Sequence, residues 1–143
     1  MEGLNFLDSN VVLYLLSPDA KKQAIALELL SRRPAISVQV LNEVTNVCRK
    51  KAAMSWDDIA IFLADVRHFC SVVPLTTEIH DSARRLARRH QLSFYDANIV
   101  AAAIDTGAAV VWSEDMHDGL VIEHTVTVVN PFRKPATYPP AGV

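Results

Sequence analysis

The chain has 143 residues, half of them hydrophobic, and its 14 basic and 16 acidic side chains give a formal charge of −2. That length suits one domain with a sizeable core and excludes two comfortable ones, while the apolar content excludes a disordered chain. No apolar run approaches the roughly 20 residues that a spanning helix needs, which excludes a transmembrane segment.

Leu4-Asn5-Phe6-Leu7 is a short apolar run ending at Asp8, as in a buried strand. Asp8 to Asn10 supplies capping chemistry for a helix through 11–16. Ser17-Pro18-Asp19 breaks that helix, with Pro18 placed to begin the next, about 19–32, in which Ala24, Ile25, Leu27, Leu29 and Leu30 fall at amphipathic spacing. Pro34 stops it, and Ala35-Ile36-Ser37-Val38 predicts a second strand. A helix over about 39–52 follows, with Leu41, Val44, Val47 and Cys48 on one face. Ser55-Trp56-Asp57-Asp58 is a cap with an acidic first turn, opening a helix to about Phe69.

Cys70 to Leu75 predicts a third strand, and Thr76-Thr77-Glu78 caps a helix running to His90. Ser93-Phe94-Tyr95-Asp96 starts an Ala-rich helix that Gly107 ends as a C′ glycine. The runs 109–112 and 125–129 predict two more strands. Asn130-Pro131 terminates the last, so the domain is expected to span 1–131, with a Pro-rich tail over 132–143. Short, continuously apolar strands separated by helices predict a three-layer α/β/α sandwich with a central parallel sheet.

The opening Met1-Glu2-Gly3 lacks the basic stretch of a signal peptide, and Cys48 and Cys70 have no CxxC spacing. They read as buried thiols in a reducing compartment, so a cytoplasmic protein is expected. A net negative charge is awkward for a nucleic-acid enzyme, yet many basic residues come in clusters such as Arg49-Lys50-Lys51 and Arg84-Arg85 with Arg88-Arg89. Taken singly, each reads as a solvated helix face or end.

In open parallel sheets, ligands bind beyond the carboxyl ends of the strands. Asp8 follows the first strand, Glu43 lies near the start of the helix after the second, Asp96 opens the Ala-rich helix, and Asp115 follows the strand at 109–112. Caps, dipole partners and turn residues account for most of these individually. Asp8 interrupts an apolar run where no turn is forced, and the shared placement argues for one site. Clustered carboxylates repel, and a hard cation resolves that repulsion: oxygen donors without a Cys or His shell suit Mg²⁺, with Mn²⁺ as substitute. Such a site supports phosphodiester hydrolysis by metal-activated water, which fits a chain with no nucleophile elbow and no Walker A loop.

Leu7-Asp8-Ser9-Asn10, Leu41-Asn42-Glu43-Val44, the stretch Ser93-Phe94-Tyr95-Asp96-Ala97-Asn98-Ile99 with its alanines, and Trp112-Ser113-Glu114-Asp115 through Gly119 resemble the PIN domain. More narrowly they resemble the VapC-type toxins of toxin–antitoxin pairs, in order and over nearly the whole chain. The resemblance implies a parallel-sheet α/β/α fold, Mg²⁺- or Mn²⁺-dependent endoribonuclease activity, a homodimer, and an antitoxin whose C-terminal segment fills the active-site groove. Asp8, Glu43 and Asp96 match the family's acids. Asp115 matches the acid of its last motif, with Glu114 and Asp118 as neighbouring alternatives, and Ser113 matches a small hydroxyl residue that shapes the site.

Asn10, two residues after Asp8, also suggests the DxD of haloacid-dehalogenase-like phosphatases. An amide cannot act as their second, proton-donating Asp, and Asn10 reads instead as a cap or a partner of a carboxylate. A catalytically inactive partner-binding module is the non-enzymatic alternative. Of the histidines only His117 lies near the proposed site. Phe94, Tyr95, Trp56 and Trp112 read as packing residues.

Overall fold

The computed structural model describes residues 4–133. Its sheet has six strands: β1 (Leu4–Leu7), β2 (Ala35–Ser37), β3 (Ser71–Val73), β4 (Ala108–Trp112), β5 (Val121–Ile122) and β6 (Val126–Val129), in the spatial order β3-β2-β1-β4-β6-β5. All neighbours pair in parallel except the β5–β6 hairpin at one edge. The two-residue β5 is absent from the sequence expectation, because so short an element has no periodicity to read. β3 is also shorter than the expected run from Cys70 to Leu75.

Six α-helices connect the strands: α1 (Ser9–Leu13), extended by a 3₁₀ turn Tyr14–Leu16, then α2 (Ala20–Ser31), α3 (Val38–Lys50), α4 (Trp56–Phe69), α5 (Thr77–His90) and α6 (Phe94–Asp105). Their starts follow capping chemistry. The side chains of Ser37, Ser55, Thr76 and Ser93 each accept the backbone N–H three residues on, at 3.3, 3.0, 3.1 and 3.1 Å. Beyond the end of α6, Gly107 takes φ +78°, which only glycine adopts without strain.

The layers are those of an α/β/α sandwich. Phe6, Ile36, Val111 and Val128 are fully buried at the centre of the sheet. α6 is buried over seven consecutive residues, Ala97 to Ala103, as expected of a helix enclosed on all sides. Its alanines bring it close to the sheet, whereas α5 covers it on the outside with Ile79, Ala83 and Leu86 inward and its arginines outward.

Several packing expectations are corrected. α2 turns Ala26, Leu29 and Leu30 inward and leaves Leu27 exposed, because its pattern admits two neighbouring apolar stripes and the packed one lies a residue round from that read. Trp56, Phe94 and Tyr95 are exposed, since first-turn residues precede the stretch of helix that meets the core. Trp112 is buried as expected, with its Nε1 donating to Asn5 Oδ1 at 3.1 Å. Cys48 is buried, but Cys70 is only partly so. Phe132 packs against Tyr14 with ring centroids 4.5 Å apart and the rings tilted by 58°, so packing continues past residue 131. The expected tail beyond 133 lies outside the described residues. Among them, no helix is long and apolar enough to cross a membrane.

Candidate active site

The strand order reverses direction between β1 and β4, where crevices form at the carboxyl ends of an open sheet. Asp8 leaves β1 and Ser113 leaves β4 at that point, joined across the sheet by Asp8 N–H donating to the Trp112 carbonyl at 3.0 Å. Asp8 is 3% exposed. It does cap α1, with Oδ1 accepting Ser9 N–H at 2.7 Å. Its Oδ2 accepts the Ser113 hydroxyl at 2.7 Å and the Asn10 amide at 3.2 Å. Every one of these donors is neutral.

Glu43 reaches the same place from the first half of α3. Its Oε1 accepts the Ser9 hydroxyl at 2.8 Å and its Oε2 accepts Gln39 Nε2 at 3.0 Å. Ser9 thus stands between Asp8 and Glu43, and Gln39 fixes Glu43 from four residues earlier on the same helix face. Neither was singled out from sequence. The i, i+4 spacing of Gln39 and Glu43 carried a signal, whereas the role of Ser9 depends on how α1 meets α3. Asp96, half-buried in the first turn of α6, lines with Glu43, Gln39, Asn42, Asn46 and Tyr95 an open groove of about 500 Å³.

The electrostatics tie the acids together. Burial, with the charges of Glu43 and Asp96 adding, pushes Asp8 up to about 6 against the lowering hydrogen bonds from Ser113 and Ser9. Burial also raises Asp96, helped by the charges of Glu43 and Asp115 and opposed by Ser93. Among the described residues none of these four acids forms an ion pair.

The other acids near Asp115 are engaged elsewhere. Glu114 accepts the Tyr14 hydroxyl and pairs with Lys22 at 3.0 Å, while its backbone N–H donates to Asn10 Oδ1 at 3.0 Å. Asp118 accepts Asn130 N–H at 2.7 Å and stands 3.6 Å from Arg133, supporting the exit from β6. Asp115 is exposed and acts on Asp96 through its charge. His117 is exposed as well.

An all-oxygen donor set whose negative charge no side chain balances fits a hard divalent cation. Among the described residues no three His, Cys, Asp or Glu side chains stand close enough to enclose an ion. The acids therefore do not form a closed cage.

Fold and site together define a doubly wound α/β/α domain with an acidic, oxygen-only centre at its topological switch point. Residues 6–117 match the PIN domain, and the chain belongs to that family. Solved structures share the fold. A toxin–antitoxin complex from Klebsiella pneumoniae aligns with a TM-score of 0.68 at 20% identity, covering 90% of this chain and 98% of that one. FitAcB from Neisseria gonorrhoeae aligns at 0.64 and 17%, covering 92% and 100%. VapC20 of Mycobacterium tuberculosis, a sarcin–ricin loop cleaving toxin, aligns at 0.63 and 20%, covering 78% and 89%. At these identities the likeness is one of fold. No curated protein matches in sequence.

Proposed function

We propose that this chain is a divalent-cation-dependent endoribonuclease and the toxin of a toxin–antitoxin pair, acting in the cytoplasm as a homodimer. One observation supports the reading: the charges of Glu43 and Asp96 act on the buried Asp8, that of Asp115 acts on Asp96, and among the described residues none of the four forms an ion pair. In this reading Asp8, Glu43, Asp96 and Asp115 are the acids that would surround Mg²⁺, or Mn²⁺ in its place, part of them through its waters. A cation bound there supplies charge neutralisation on the phosphodiester and a water activated for in-line attack.

The protein's own part is positioning. Ser113 and Asn10 orient Asp8, while Ser9 and Gln39 fix both oxygens of Glu43. Asn10 engages both ends of its amide, with Asp8 and with Glu114 N–H, which leaves no proton donor for the phosphatase alternative. The antitoxin we assign to the chain packs on the helices near 11–16 and 39–69, where Leu16 and Ile61 are exposed, and inserts a basic side chain among the acids.

The test is cleavage of single-stranded RNA by the purified chain. Activity with Mg²⁺ or Mn²⁺ that chelation and Asp96→Asn both abolish supports the reading. Turnover of a phosphomonoester in place of RNA would overturn it. Silence towards every divalent ion, in both cleavage and thermal melts, would instead assign a catalytically inactive partner-binding module. Failure to co-purify with the product of the neighbouring reading frame would remove the antitoxin.

A further inference from the structure

The groove that holds Glu43 and Asp96 does not end there. Asn42 and Asn46 form one wall of it, and the same two side chains, with Thr45, Arg49, Lys50 and Trp56, line an adjoining hollow of about 510 Å³. The two hollows therefore adjoin at Asn42 and Asn46 and make a channel along α3 that these two residues interrupt. Its character changes with distance from the acids. From Glu43 to Arg49 is six residues, or about 9 Å along a helix axis. At the far end Trp56 is 64% exposed, an unusual position for the largest apolar side chain. It is not loose: the Arg49 guanidinium lies over its ring, 4.8 Å from the centroid, and Arg49 Nη1 is tied to the Met54 carbonyl at 2.8 Å. Among the described residues neither Arg49 nor Lys50 forms an ion pair.

We propose that this channel is the track for single-stranded RNA on one side of the cleavage point, with a base stacked on Trp56 and the adjacent phosphates on Arg49 and Lys50. The inference rests on the ribonuclease reading above and adds to it where the strand lies. An exposed indole beside unpaired cations is how single strands are held without strict sequence preference, since every base has a face to stack and every linkage a charge. Between the two ends lie Asn42, Thr45 and Asn46, polar groups that hydrogen-bond sugars and base edges. A docked amphipathic helix would need an apolar floor there. Acids without a cationic partner at one end and cations without a carboxylate partner at the other suit a chain whose scissile phosphate would meet the metal and whose flanking phosphates would not.

Binding is read apart from cleavage by placing the changes in an Asp96→Asn chain and titrating a labelled single-stranded oligoribonucleotide. Trp56→Ala is expected to weaken binding about ten-fold or more, and Trp56→Phe to restore most of it. Arg49→Ala with Lys50→Ala is expected to weaken binding and to flatten the slope of log K against log salt by about 1.4, some 0.7 for each phosphate that is no longer neutralised. In a Trp112→Phe background the oligoribonucleotide should quench the remaining Trp56 emission. Unchanged affinity and slope in these variants, while the wild-type chain cleaves RNA, would remove the track and leave the ribonuclease reading standing. Absence of binding by the Asp96→Asn chain together with absence of cleavage by the wild-type chain would overturn the two together. Trp56→Ala that dissociates a dimer, or that weakens antitoxin binding and spares RNA binding, would give the channel to a protein partner and overturn the proposal.

Discussion

Two acidic corners of this molecule behave in opposite ways. At the switch point Asp8 is buried among other carboxylates and is pushed up to about 6. At the corner where α5 ends near β5, Glu123 accepts Arg89 at 2.9 Å and His90 at 3.1 Å, and these partners hold it below its usual range. The second corner is complete in itself, because its charge is answered by side chains of the chain. The first is not, and it is answered only if something positive arrives from outside. Uncompensated burial of charge costs stability, and folds keep such sites where function needs them.

The largest separation of the two corners should come from activity. Asp96→Asn is expected to reduce RNA cleavage at least a hundred-fold, while Glu123→Gln should leave it unchanged, both measured at saturating Mn²⁺. An effect of Glu123→Gln on cleavage comparable with that of Asp96→Asn would erase the distinction.

Stability should sharpen it further. A carboxyl at about 6 in the fold and near 3.8 when unfolded binds more protons in the native state. Native stability should therefore fall as pH rises from about 4 to about 6 and stay lowered above that, by about 3 kcal/mol at most. Asp8→Asn removes that charge, so the metal-free variant should melt a few degrees higher than the parent at pH 8 while being inactive. Mn²⁺ should stabilise the parent and not the variant; at a hundred times the dissociation constant the gain is about 2.7 kcal/mol. A lower melting point for Asp8→Asn, with the cation response intact, would contradict the reading of Asp8.

A smaller effect concerns the hydroxyl that holds Asp8. Ser113 lowers its pKa, so Ser113→Ala should push Asp8 higher and move the acid limb of the pH–rate profile upward, with cleavage at neutral pH reduced about ten-fold. Unmoved profiles would mean that Ser113 serves only the turn after β4. The smallest effect belongs to Glu123. Its depressed pKa makes its contribution present above the ordinary glutamate range and lost as pH falls through it. Glu123→Gln should thus lower the melting point slightly at neutral pH and not at all under strongly acidic conditions.

Much of the fold was legible because local chemistry marks it. Hydroxyl caps at Ser55, Thr76 and Ser93, the C′ glycine at 107 and apolar strand runs each act within a few residues. The β5–β6 hairpin was not legible, since a two-residue strand is defined by its partner. Leu27, Trp56 and Tyr95 were misplaced for a related reason: hydrophobicity says which residues gain from burial, and packing decides which of them obtain it.

The acids divide along the same line. Sequence alone put Asp8, Glu43, Asp96 and Asp115 at strand ends and helix starts, because those positions follow from where apolar runs stop. It also left Glu114 and Asp118 as alternatives beside Asp115, since neighbours in a turn have no local feature to separate them. The tertiary structure gives Glu114 to Tyr14 and Lys22 and Asp118 to Asn130 and Arg133, which favours Asp115. The burial that raises Asp8, the Ser9 bridge to Glu43 and the adjoining hollows lined by Asp96 and by Trp56 were likewise decided there. Each depends on distances between residues far apart in the chain, and such distances exist only once the sheet has formed.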